Sequence, residues 1–99
     1  MNNILDADGS TLATIGDDGR VKDIKGLYLG KVALNGEVYN EHGQKVGYFL
    51  ESGYIYKGTS HVGTVRSDGN VVDYEGTKVG KVVGGHTMLG GAALILLVR

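Results

Sequence analysis

The sequence predicts a small all-β domain: an antiparallel meander of about ten short strands that curls into a bent sheet or a small barrel. Three observations lead to this fold class. Eighteen of the 99 residues are glycine. Many of these glycines recur in a two-strand unit of about 17 residues, and self-similarity at a fixed period is the mark of a repeat fold. Turn-forming pairs such as Asn35-Gly36 divide each unit into two short β-rich runs.

The repeat is built around four glycines that each follow an apolar residue. They are 17, 16 and 17 residues apart: Gly30, Gly47, Gly63 and Gly80. An earlier unit has Ala13 in the same position, and the pattern can be traced back to Ile4. We therefore assign residues 4–82 to the repeats and residues 83–99 to an apolar tail, and we expect the whole chain, 1–99, to form one domain.

Two kinds of turn alternate along the repeats. In the first kind Asp, Asn or Ser directly precedes glycine, which predicts two-residue type I′ hairpins whose central residues both have positive φ. These pairs are Asp18-Gly19, Asn35-Gly36, Ser52-Gly53 and Asp68-Gly69. In the second kind Asp or Asn lies three residues before glycine, as in type I turns whose first side chain caps the backbone. These pairs are Asp6/Gly9, Asp23/Gly26, Asn40/Gly43 and Asp73/Gly76. Such tight turns make neighbouring strands antiparallel, and a β-solenoid with one coil per unit is the alternative.

Each leading glycine also predicts an irregularity in its strand. Leu29 and Val32 are three residues apart, so a regular strand would point them to opposite faces. A β-bulge at Gly30 would let both residues face one core, and the alternative is that both faces of the strand are buried there. Because bulges at equal intervals bend a sheet in one direction, they favour the curled sheet or the barrel.

The tail carries a continuous apolar run, Ala92–Val98, after a glycine-rich stretch. Seven residues are too few to span a bilayer, so we predict no membrane span. A run that is apolar on every side is typical of a fully buried strand or of a buried helix turn, and periodicity does not separate the two. The preceding glycine pairs and the Leu-Ile-Leu-Leu-Val content favour a strand that completes the core.

The repeats resemble the short Gly/Asp-rich β-repeats of uncharacterised bacterial and fungal proteins. The segments that carry the resemblance are Ile4–Gly9 and Gly69–Gly80, and the shared pattern is G-x-V-x-D-x-x-G-x-x-V-G. The repeats cover about four fifths of the chain. The resemblance implies a repeat-built β fold and no known activity, because those proteins have no catalytic motif.

Composition argues against several classes of function. The formal net charge is −1 and the basic residues are scattered singly, so we expect no nucleic-acid binding. Without cysteine the chain has no disulfides or thiolate metal sites. The N-terminal residues have no signal-peptide pattern, so the default expectation is a cytoplasmic protein. Asp6-Ala7-Asp8-Gly9 lacks the spacing of a calcium loop and the histidines lie in unrelated positions, so we predict no metal site and no cofactor.

Catalytic motifs are also missing from the sequence. The serines beside turns have no partnered histidine at a diagnostic spacing, and a small meander offers little room for a concave pocket. We therefore predict that the protein is not an enzyme but a non-catalytic structural or protein-interaction module. The alternative is a small-ligand or carbohydrate-binding domain that uses a central strip of Tyr39, Tyr54 and Tyr56, where aromatic residues break the repeat. Assembly into a homo-oligomer, through exposed edge strands or through Leu94–Val98, is a further alternative.

Overall fold

The computed structural model describes residues 2–98, and ten antiparallel strands within them form a closed barrel. Each strand pairs with its neighbours in the sequence, and β1 pairs with β10 through Ile4 and Val82, which closes the ring. The predicted antiparallel meander and its closure into a small barrel are confirmed, and the β-solenoid alternative is wrong. The strands are β1 (Asn2–Asp6), β2 (Thr11–Ile15), β3 (Arg20–Asp23), β4 (Tyr28–Val32), β5 (Glu37–Asn40), β6 (Lys45–Phe49), β7 (Tyr54–Lys57), β8 (Ser60–Val65), β9 (Asn70–Asp73) and β10 (Lys78–Val83).

Closure of the barrel determines whether any strand edge is free to pair with another chain. Every strand within residues 2–98 has a hydrogen-bonded neighbour on both sides. A closed barrel exposes no strand edge. The edge-strand route to a homo-oligomer is therefore absent from the described part of the fold.

A β-bulge lies in every two-strand unit, as predicted. On β4, Gly30 pairs with Val21, and Tyr28 pairs with the next residue of β3, Lys22, so that Leu29 is an extra residue in the ladder. Equivalent register shifts occur in the other four units. Leu29 is half-buried and packs against the core. Five bulges spaced around the ring bend the sheet in one direction until it closes.

The first kind of turn differs from the type I′ prediction. Gly19 has a φ of +85°, but Asp18 does not have positive φ, and among residues 2–98 only glycines do. The N–H of Gly19 donates to the carbonyl of Gly16 (3.0 Å), and the N–H of Gly16 donates to the carbonyl of Arg20 (2.9 Å). This is a three-residue loop, a type I turn followed by a left-handed glycine. The loop confines positive φ to the residue without a Cβ, and the Asp18 carboxylate accepts the N–H of Arg20 (3.0 Å).

The second kind of turn agrees with the prediction. The carboxylate of Asp6 accepts the N–H groups of Asp8 and Ser10 at 2.9 Å each. The equivalent side chains make the same two bonds: Asp23, Asn40 and Asp73. These polar residues therefore shape the backbone. The unit that is one residue short has a two-residue turn, Gly58-Thr59, in place of this loop.

The tail forms a helix inside the barrel, so the predicted strand is wrong and its helical alternative is right. Helix α1 (Thr87–Ala93) follows β10 after a bend at Gly84, and one wider, π-type turn continues it over Leu94–Val98. All ten strands already pair with each other, so a strand inside the ring would have no partner for its backbone, whereas a helix bonds its own backbone. No helix in the described part of the chain is long and apolar enough to cross a membrane.

Glycines on the helix and on the wall make room for this packing. A Cβ on Gly90 would lie 2.6 Å from Cγ1 of Val82 on the wall. The side chains of the wide turn lie over the bulge glycines in reverse sequence order, one to a unit. Leu94 lies over Gly80, Ile95 over Gly63, Leu96 over Gly47 and Leu97 over Gly30. The tail therefore fills the lumen and completes the core, as the sequence predicts.

Candidate interaction surface

The tail fills the lumen, so a binding surface has to lie on the outer wall. The outward residues of the wall also differ from unit to unit. Tyr54 and Tyr56 point outward on either side of the fully buried Ile55, as the alternation of a strand requires. Each pair of strands that shares a bulge presents four outward side chains, which we call a facet. Three neighbouring facets are those of β3–β4 (Arg20, Lys22, Tyr28 and Lys31), β5–β6 (Glu37, Tyr39, Lys45 and Tyr48) and β7–β8 (Tyr54, Tyr56, His61 and Thr64).

Four rings meet across β6, β7 and β8, and we call Tyr48, Tyr54, Tyr56 and His61 the aromatic strip. Tyr48 and Tyr56 are cross-strand partners, and their rings stack with centroids 5.2 Å apart and 17° between the planes. The His61 ring is tilted against two tyrosines, with its centroid 5.2 Å from that of Tyr54 and 5.6 Å from that of Tyr56. Stacked and tilted arrangements at these distances are the favourable geometries for aromatic pairs.

The strip includes two of the three tyrosines that the sequence singles out. Tyr54 and Tyr56 come together around His61. Tyr39 lies on β5, where its neighbours across the strands are Lys31 and Lys45. Sequence reasoning did not assign Tyr48 or His61 to the strip. Both residues are cross-strand partners of Tyr56, and this pairing can be recognised only when the register of the strands is known.

A charged cluster borders the aromatic strip on β5–β6. The Lys45 ammonium lies 2.9 Å from Glu37 and 5.6 Å from the centre of the Tyr48 ring. Hydrogen bonds from Lys45, Asn35 and Tyr39 hold the pKa of the Glu37 carboxyl below its ordinary value. The same carboxylate raises the pKa of Tyr39, whose O–H donates to it at 3.1 Å. Tyr39 is therefore tied to the charged cluster rather than to the stacked rings.

The wall around the aromatic strip is open. Tyr54 keeps 46% of its surface exposed. His61 is also exposed, and its Nε2 lies 3.1 Å from Oγ1 of Thr64. Such a strip can stack its ring faces against a flat or apolar group and offer hydrogen bonds at its margins. A depression of about 250 Å³ beside it is lined by Lys45, Val46, Gly47, Tyr48 and Gly58.

The architecture and the outer wall define a class of protein: a small β-barrel of five two-strand units around an axial helix. The chain belongs to the family of 5-fold beta-flower proteins, whose family model matches residues 1–96. This membership confirms that the chain is a repeat-built β protein. Comparisons with curated proteins and with solved structures give no match.

Proposed function

We propose that this protein is a non-catalytic interaction module that binds a protein partner through the aromatic strip. The stacking of Tyr48 on Tyr56, with His61 tilted against Tyr54 and Tyr56, is the observation that carries the proposal. The core does not require this cluster, because the outward position of Tyr56 varies between units. The residues in the equivalent position are Leu5, Lys22, Tyr39 and Val72. Residues that depart from a repeat without serving its core are candidates for function.

The shape of the wall favours a protein partner over a small molecule. Small-ligand sites are concave and bury most of the ligand, whereas the aromatic strip lies on the outside of a barrel whose lumen is filled. Tyrosine is enriched at the centre of protein interfaces. Because its side chain has only two torsion angles, it loses little conformational entropy when a partner immobilises it. Tyr54, the most exposed tyrosine of the strip, is the natural centre of such a contact.

The test compares two variants of the immobilised chain in extracts of the cells that produce it. We expect the Tyr54→Ala/His61→Ala variant to retain at least tenfold less of the protein partner than the wild-type chain does, because aromatic interface residues carry a large share of the binding energy. Tyr74→Ala is the matched control, since Tyr74 is 67% exposed but lies in a turn outside the strip. Binding of the purified partner, measured by calorimetry, must show the same order.

Two outcomes would contradict the proposal. One is a partner that is retained equally by the strip variant and by the wild-type chain. The other is carbohydrate binding on a glycan array that falls with Tyr39→Ala as well as with Tyr54→Ala, which would favour the carbohydrate alternative through Tyr39, Tyr54 and Tyr56. Thermal unfolding of each variant provides the folding control.

A further inference from the structure

We propose that the β3–β4 facet is a second binding site, which takes a small ligand carrying two or more phosphate or sulfate groups. Three of its four residues are cations, although the chain as a whole has a formal net charge of −1. This site is separate from the aromatic strip and does not depend on the function proposed for the strip. Its residues are Arg20, Lys22, Tyr28 and Lys31.

The register of β3 and β4 brings the three cations together. Arg20 and Lys22 flank the fully buried Val21, so both side chains leave the same side of β3. Lys31 of β4 is the direct cross-strand partner of Arg20. Directly opposed residues in an antiparallel pair have Cβ atoms about 4.5–5.5 Å apart. The two opposed cations and Lys22 therefore surround one small area of the wall.

We expect this arrangement to lower the stability of the strand pair rather than to support it. Like charges placed directly opposite each other weaken a pair of strands. The other facets have no such set of cations at the positions of Arg20, Lys22 and Lys31. Their residues are Glu37, Tyr39 and Tyr48; Tyr54, Tyr56 and Thr64; Asn70, Val72 and Lys81; and Asn3, Leu5 and Thr14. A feature that opposes stability in one unit alone is characteristic of a functional site.

The Asp18 carboxylate lies beside this facet and attracts Arg20 and, from beyond 4.0 Å, Lys31. Arg20 Nε lies 3.6 Å from Asp18 Oδ2, and both side chains are largely exposed. Among residues 2–98, Lys22 and Lys31 make no ion pair within 4.0 Å. Their ammonium groups are therefore available to an external anion. The surface above them is a depression of about 330 Å³, and it is lined by the four facet residues: Arg20, Lys22, Tyr28 and Lys31.

The side chains select the chemistry of the ligand. The planar guanidinium of Arg20 matches two oxygens of a phosphate or sulfate group, and each lysine adds a compact positive charge. Three cations suit a ligand with more than one such group. Tyr28, which is paired with Lys22 and is 37% exposed, offers a ring edge or face to the body of the ligand. Because the site is open to solvent, salt should weaken the binding strongly.

The experiment titrates the ¹⁵N-labelled chain at low ionic strength with inorganic pyrophosphate and, separately, with a disulfated disaccharide. We expect shifts centred on residues 20–31, with a dissociation constant at least tenfold higher in Lys22→Gln/Lys31→Gln. The matched control is Lys78→Gln/Lys81→Gln, which removes the same charge from β10, where Lys81 holds the position of Lys31. This control should change the constant less than twofold. A bisphosphorylated form of the same disaccharide, titrated alongside the disulfated one, distinguishes phosphate from sulfate as the preferred group because the two ligands share one sugar body.

Each contrary result bears directly on this site. Equal weakening in both lysine pairs would mean that net charge alone attracts the anion, and that would overturn the proposal. The absence of shifts with all three ligands at millimolar concentration would also overturn it. Tyr54→Ala/His61→Ala should bind pyrophosphate like the wild-type chain, so the anion site and the aromatic strip can fail independently. The glutamine variant should unfold no more readily than the wild-type chain, because the repulsion between Arg20 and Lys31 is removed.

Discussion

Individual glycines are required in this chain for two different physical reasons. Turn glycines such as Gly19 adopt a positive φ, which side chains with a Cβ rarely do. The bulge glycine Gly63 does not have positive φ and is required for space. A Cβ there would lie 2.8 Å from the carbonyl oxygen of Val72 and 3.0 Å from Cδ1 of Ile95. Ala13 occupies the same position in another unit and is fully buried, so the neighbouring atoms decide whether a methyl group fits.

We expect Gly63→Ala to lower the free energy of unfolding by about 1–3 kcal/mol, because overpacking forces side chains and backbone to shift. Ile95→Val removes the Cδ1 atom that the new methyl group would strike. The double variant should therefore be more stable than the sum of the two single effects by at least about 0.5 kcal/mol. Gly85→Ala, whose Cβ would meet nothing within 4 Å, is the control. Urea unfolding compares the four variants with the wild-type chain. Additive effects would mean that Ile95 does not limit the space at Gly63 and that only the carbonyl oxygen of Val72 does.

A second prediction concerns the loss of stability at low pH, to which Asp68 contributes. The hydrogen bond from the backbone N–H of Asn70 (3.0 Å) lowers the pKa of Asp68 below its ordinary value of 3.8. A carboxyl whose pKa is lowered by folding contributes stability above its unfolded pKa, and that contribution is lost as pH falls through the folded pKa. Below about pH 4, wild-type stability should therefore fall more steeply than that of Asp68→Asn. Asparagine keeps the acceptor, as Asn35 does for Glu37 in the equivalent turn (3.1 Å). Parallel pH curves from chemical unfolding would refute this assignment.

At the scale of elements, strands and bulges could be predicted but the tail could not. Turn residues and the apolar–Gly–x–apolar spacing are local signals that recur in most units, with Ala13 in place of glycine in one and a shorter turn in another, and together they predict the ten strands. The run Ala92–Val98 is apolar throughout because Ala92, Ala93 and Leu94 are fully buried and the four residues after them are partly buried against the core. Local sequence does not encode this environment. The type I′ prediction is wrong because the pair Asp18-Gly19 fits two loops equally well. A two-residue type I′ turn and the observed three-residue loop both end in a glycine with positive φ.

The axial helix should dominate the stability of the fold. Leu94 is fully buried at the start of the wide turn and packs over Gly80. We expect Leu94→Ala to cost about 2–5 kcal/mol, through lost transfer energy and the cavity that remains. Leu34→Ala is the matched control, because Leu34 is 83% exposed in a hairpin loop, and it should change stability by less than about 0.5 kcal/mol. Equal effects in denaturant unfolding would mean that the tail does not fill the lumen.

At the scale of the whole molecule, closure is what separates this barrel from an open meander with the same turns. Asn3 and Ile4 of β1 pair with Val83 and Val82 of β10. In an open sheet these two strands would be edges, and their outward amides would exchange with solvent readily. We expect amide hydrogen exchange of β1 and β10 to be as slow as that of β5 and β6. Alternating fast amides along either terminal strand would contradict closure.

The candidate surfaces also belong to this scale, which is why they were only partly predictable. Tyr54 and Tyr56 follow from simple alternation around Ile55. The stack of Tyr48 on Tyr56 depends on the register across a hairpin whose loop is one residue longer than predicted, and a slip of one residue would send Tyr48 to the other face. The basic residues look scattered in the sequence, and only the bulged register of β3 and β4 gathers Arg20, Lys22 and Lys31.

The one-to-one seating of the tail on the wall also limits how such a chain can evolve. Each residue from Leu94 to Leu97 packs over the glycine of one unit in turn. Duplicating a repeat would widen the ring and add one wall position without adding a tail side chain to pack over it. A chain with a sixth unit would therefore need one more apolar residue in its tail to fill the wider lumen, so the number of units and the length of the tail have to change together.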